Sequence, residues 1–128
     1  MGPVMVTLLI VDGANVVGSV PDGWWRDRRA AAGRLRDRLV PYADNGLPGV
    51  PGPLEIVLVV EGAARGTAPV PGVRVDEAPG SGDDRIAELV AEAAPERPCV
   101  VVTADRGLRE RVTAAGGRTV GPRAVYGP

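Results

Sequence analysis

The sequence predicts one α/β domain, a three-layer α/β/α sandwich around a mostly parallel sheet of about five strands. Near-continuous aliphatic runs at Val4 to Val11, Leu54 to Val60 and Cys99 to Thr103 lack polar alternation and read as strands covered on both faces. Amphipathic helical patterns alternate with those runs. A chain of 128 residues, 45% apolar, suits a single core spanning 1–128 and is too short for two.

The first run, LLIVDGANVVG, leaves the apolar layer at Asp12, where an unpartnered charge would cost several kcal/mol if it stayed buried. Trp24, Ala31, Leu35, Leu39 and Tyr42 then share one face and predict a helix over 24–42. Asp44 to Pro53 (DNGLPGVPGP) reads as a Pro/Gly loop. Leu54 to Val60 is the second long strand and Val73 to Val75 a shorter one. Ile86, Leu89, Val90 and Ala93 mark a helix, Cys99 to Thr103 a strand, and Leu108, Val112 and Ala115 a further helix. Arg118 to Val120 is a last short strand, and 121–128 an irregular tail. The order β-α-β-β-α-β-α-β implies right-handed crossovers between parallel strands.

Composition removes several chemistries. The single cysteine, Cys99, has no internal disulfide partner. Met5 to Val17 is broken by Asp12, too short to span a bilayer, and has no secretory n-region before it, so the expectation is a reduced, cytoplasmic protein without a membrane partner. All fifteen basic residues are arginine; with no histidine or lysine, His-based triads, Lys Schiff bases, the P-loop lysine and His-ligated zinc are excluded. DGANVVG does not supply the GxGxxG that a dinucleotide site requires, and a phosphoryl-accepting receiver domain would lack its lysine.

Carboxylates cluster where strands end. Asp12 ends the first strand, Glu61 the second, and Asp105 follows the fourth by two residues, while Asp83 and Asp84 open the helix leading into that fourth strand. In open parallel sheets ligands bind at this edge. Several carboxylates without a basic partner repel one another, and an oxygen-only set suits Mg²⁺ or Mn²⁺. Each residue also has a structural role open to it. Ser81 and Asp84 form a capping box, Asp105 an N-cap, Asp12-Gly13 a turn, and Glu61 a solvated strand end.

The runs VDGANV, GSGDDRI and VVTADRGLRERV, in that order and context, resemble the NYN domains of the PIN-like metal-dependent ribonucleases. Asp12 and Asn15 match that family's strand-end Asp and the Asn three residues on; Asp83, Asp84 and Arg85 match its Asp-Asp-Arg; Thr103 and Asp105 match its hydroxyl residue two before an Asp. The correspondence runs from residue 5 to about 120. It implies a PIN-like, Rossmann-like fold and hydrolysis of RNA phosphodiesters with Mg²⁺ or Mn²⁺. The implied metal ligands are Asp12, Asp84 and Asp105. Asn15 orients a carboxylate or contacts substrate, Thr103 fixes Asp105, and Asp83 holds a metal-bound water. Glu61 matches only loosely. The alternative is a catalytically silent PIN-like module binding RNA or a protein. A homodimer, or a protein partner such as the antitoxin of a toxin-type PIN nuclease, is left open.

The net charge of −1 does not advertise a nucleic-acid binder, yet its distribution is uneven. The expected helix 24–42 carries six arginines against Asp27 and Asp37, or +4, leaving −5 elsewhere. On its wheel Arg28 falls near the apolar stripe, either snorkelling or clamping phosphate. Arg26, Arg29, Arg85 and Arg106 are the other substrate-binding candidates, and Trp24 and Trp25 are candidates for base stacking, Trp24 also for the core.

Overall fold

The computed structural model describes residues 6–126. Val4 and Met5 of the expected first strand, and Gly127 and Pro128 of the expected tail, lie outside the described residues. Strand β1 (Thr7–Asp12) runs directly into helix α1 (Gly13–Gly18), followed by α2 (Arg28–Leu39) and the one-turn α3 (Tyr42–Asn45). A minimal antiparallel ribbon of β2 (Gly46–Leu47) and β3 (Val50–Pro51) leads to β4 (Leu54–Val60) and β5 (Val73–Glu77). Then come α4 (Gly82–Ala93), β6 (Cys99–Val102), α5 (Arg106–Ala114), β7 (Arg118–Val120) and α6 (Arg123–Tyr126).

The main sheet has five strands in the order β5-β4-β1-β6-β7, and every neighbouring pair is parallel. The chain works outwards from β1 to one side and then crosses to the other. The order therefore reverses at β1, the crevice where open α/β sheets bind ligands. Alternation along the strands builds two cores, as strands covered on both faces require. Leu9, Val11, Ile56, Leu58 and Val60 pack towards α2 with Leu35 and Leu39. Leu8, Ile10, Val57, Val59 and Val101 pack towards Ile86 and Val90 of α4 and Leu108 and Val112 of α5. Burying each large aliphatic side chain contributes about 1.5–3 kcal/mol.

Gly13 sets the entry to α1. A Cβ there would collide with the Val59 carbonyl oxygen, so only glycine lets the helix start flush against β4. The consequence is that Asp12 lies at the rim of the sheet and does not project past it.

Three expectations change. The helix expected over 24–42 is interrupted: Trp24–Arg26 form a 3-10 turn, Asp27 is extended (φ −151°, ψ 92°), and α2 begins only at Arg28, with Asp27 capping the Ala30 N–H at 3.0 Å. The loop Asp44 to Pro53 contains the β2–β3 ribbon. The tail is also ordered as far as Tyr126: Val125 is fully buried, and its carbonyl accepts hydrogen bonds from Arg38 Nε at 2.8 Å and Tyr42 Oη at 2.9 Å. A four-residue helix is too short to show a period, so its burial is a tertiary effect. Among the described residues no helix is long and apolar enough to cross a membrane.

Candidate functional site: a carboxylate edge at the sheet's switch point

Asp12 is the most buried acid of the edge, 4% exposed, at the last position of β1. Its Oδ1 accepts the Asn15 N–H at 3.5 Å as the cap of α1, and its Oδ2 accepts from the Thr103 hydroxyl at 2.8 Å. The Thr103 hydroxyl in turn accepts the Asp105 N–H at 3.1 Å. The side-chain oxygen of Asn15 accepts the Ala104 N–H at 2.8 Å. These bonds tie the end of β1 to the β6–α5 loop. Thr103 thus holds the Asp12 carboxylate, and reaches Asp105 through the backbone, whereas the expected partner was the Asp105 side chain.

Asp105 Oδ1 caps α5 through the Leu108 N–H at 2.8 Å, so the capping role is realised on the same edge. Ser81 caps α4 through the Asp84 N–H at 3.1 Å. Asp84 itself is turned outwards, its Oδ1 3.0 Å from Arg111 Nη1. Its neighbour Asp83 is half-buried, and among the described residues no hydrogen bond engages its carboxylate. Glu61 closes the edge at the end of β4: its Oε2 accepts the Gly82 N–H at 2.9 Å, and its Oε1 lies 3.2 Å from where a Gly82 Cβ would stand.

Electrostatics show which acids face one another. Burial pushes Asp12 up to about 6, against the lowering effect of its bonds to Thr103 and Asn15, and the charges of Asp83 and Glu61 add to the rise. Burial also raises Asp83, with the charges of Asp105 and Glu61 next and Arg111 partly offsetting them. Asp83 thus feels Asp105, Glu61 and Asp84, and Asp12 feels Asp83 and Glu61. Glu61, which matches the family pattern only loosely, stands at the end of β4 as its abrupt appearance after LVV implied.

The donor chemistry fits a hard divalent cation in type and charge. Among the described residues no three Asp, Glu, His or Cys side chains stand close enough to hold one ion between them. The expected ligand set of Asp12, Asp84 and Asp105 is therefore not brought together as one cluster, and Asp84 is turned towards Arg111 instead.

The arginines divide by what they touch. Arg85 is committed to Asp76, with Nε and Nη2 each 2.9 Å from a carboxylate oxygen, and reaches Glu88 at 3.3 Å; the hydrogen bonds to Asp76 raise its pKa further. Arg29 Nε donates to the Arg65 carbonyl at 3.1 Å. Arg28 and Arg26 lie over the rings of Trp24 and Trp25, at 5.3 and 5.8 Å, and Arg106 is exposed on the first turn of α5. Arg28 is exposed above Trp24 and does not point into the sheet.

No protein-family model matches the chain, and no curated protein sequence matches it. Among solved structures the chain is similar to Rae1 (YacP) from Bacillus subtilis, with a TM-score of 0.71 at 21% identity over 93% of this chain and 71% of that one. A tryptophan-to-leucine variant of the same protein aligns over the same shares at 19% identity with a TM-score of 0.70. A likeness at this identity bears on architecture alone: the chain shares with that structure the α/β sandwich on a five-stranded parallel sheet.

Proposed function

We propose that the protein is a metal-dependent ribonuclease that hydrolyses RNA phosphodiesters at the edge formed by Asp12, Glu61, Asp83 and Asp105. The observation that carries this reading is electrostatic: burial and the charges of Asp83 and Glu61 push Asp12 to about 6, and burial and the charges of Asp105 and Glu61 push Asp83 upwards. Proteins keep such mutually repelling groups at functional sites.

Mg²⁺ or Mn²⁺, held by Asp12 with Asp105 or Glu61 beside it, would supply charge neutralisation and an activated water. The chain's own residues do the rest. Thr103 holds the Asp12 carboxylate through Oδ2, and Asn15 pins the loop that carries Asp105. Asp83, with unengaged lone pairs and a raised pKa, accepts a proton from an attacking water at its carboxylate. Asp84, joined to Arg111, steadies α4 against α5.

A silent PIN-like module that binds RNA is the second reading, favoured by the absence of a three-acid cluster among the described residues. Incubation with mixed single-stranded and structured RNA, with Mn²⁺, Mg²⁺ or EDTA, separates the two. The nuclease reading requires cleavage that EDTA stops and that Asp12→Asn and Asp83→Asn abolish. RNA binding without cleavage in any metal supports the silent module.

A further inference from the structure

Beside the carboxylate edge lies a cavity of about 440 Å³, lined by Val17, Ala32, Val60, Trp24, Arg28 and, of the edge acids, Glu61. Arg28 also lines a second, more open groove of about 620 Å³ with Trp25, Arg26 and Arg29. Trp25 is 55% exposed, and the two indoles meet edge to face with centroids 6.1 Å apart.

The geometry points to a base-specific subsite: the cavity receives one unpaired nucleobase of the substrate strand, and the arginine groove carries the adjoining phosphates. This rests on the ribonuclease reading and deepens it. The volume lies in the lower part of the roughly 300–1,000 Å³ range of small-ligand sites, ample for a base with its sugar and too small for a duplex. Three features select a base over other flat ligands. The lining includes an indole with a guanidinium over it at 5.3 Å, a cation–π pair that presents one planar cationic surface for a base to stack on. Val17, Ala32 and Val60 make part of the lining apolar and buried, while the Glu61 Oε1 and the Ser81 hydroxyl hydrogen remain for a base's hydrogen-bonding edge. Glu61 and Gly13 border both cavity and acid edge, so a base seated here stands next to a phosphate at the carboxylates. Among the described residues neither Arg26 nor Arg28 has a carboxylate within ion-pair distance, which leaves both charges for phosphate. A base within a duplex cannot enter, so the substrate is single-stranded or unpaired at this position.

Binding in EDTA, where cleavage cannot intervene, tests this by fluorescence anisotropy with short oligoadenylate and oligouridylate, their annealed duplex, and an abasic ribose-phosphate strand of the same length. A base-bearing strand is expected to bind about tenfold more tightly than the abasic strand of equal charge, and than the duplex, as one stacked base would give. Ala64 lines the cavity and Ala14 stands exposed at its margin. Ala64→Leu or Ala14→Leu should fill it and remove most of the preference while leaving abasic binding unchanged. Trp24→Leu should do the same; because Trp24 also packs against the core, the two alanine variants carry the test if it fails to fold. Equal binding of base-bearing and abasic strands, or a preference that survives in folded filled variants, overturns the subsite. If Mn²⁺-dependent cleavage persists in that case, the ribonuclease reading stands and only the pocket is lost. Failure to bind any strand, with no cleavage, overturns both.

Discussion

At the scale of single residues, Asp12 makes the stability of the metal-free protein depend on pH in a sense opposite to ordinary acid denaturation. Its carboxyl is raised from 3.8 to about 6, so the folded chain holds the proton more tightly than the unfolded one. Below 3.8 both states are protonated and the group's contribution is fully present; as pH rises through about 6 the folded carboxyl ionises and that contribution is lost. The gap corresponds to roughly 3 kcal/mol. In EDTA, Asp12→Asn should therefore raise Tm at neutral pH, with the gain shrinking as pH falls well below about 6; a gain independent of pH would assign the effect to packing. Thr103→Val removes the donor to Asp12 and the acceptor of the Asp105 N–H together. It should destabilise by about 1–3 kcal/mol in a urea melt, and Thr103→Ser should recover most of it. Asp12 was legible because a charge ended an aliphatic run. The choice between Asp83 and Asp84 was not. Adjacent helical residues differ by about 100° in direction, so one of the two faces the edge and the other faces away. The burial of Ile86 and Val90 fixes the roll of α4, turning Asp84 to Arg111, and no sequence period states that roll.

Among the elements, the strands were legible and one helix boundary was not. Both long runs sit at the sheet centre, where their unbroken aliphatic character has its cause in cores on both faces. The α2 boundary failed because Trp24, Ala31 and Leu35 keep helical spacing by coincidence: Trp24 joins the same core from a separate 3-10 turn. Asp27 was the overlooked stop, an acidic cap ahead of RRAAAGRLRDRL. Asp27→Ala should destabilise by about 1 kcal/mol in denaturant while Asp27→Asn stays near wild type, because asparagine caps equally well. A loss shared by both variants would show that charge, not capping, is what matters there.

Over the whole molecule, charge is segregated while the total stays close to zero. Acids gather at the switch point, and Arg26, Arg28, Arg29 and Arg36 line the neighbouring groove. RNA binding should accordingly weaken steeply with salt, and Arg26→Ala should reduce the log–log slope by about 0.7 for one lost single-strand phosphate contact. An unchanged slope would leave that face a purely structural one. The architecture was readable from strand and helix order alone, but which arginines remained uncommitted was not, since Arg38 and Arg97 are spent on carbonyls 87 and 91 residues away. The same remoteness governs when the site can exist. β1 pairs Thr7 with Leu54 on one side and Leu8 with Cys99 on the other, and the Thr103–Asp12 bond spans 91 positions. On a ribosome, Asp12 emerges 91 residues before its hydroxyl partner and waits for most of the sheet to be made. Any chain stopped before Thr103 carries Asp12 without the bond that holds it, so a half-made domain cannot present the hydrogen-bonded edge.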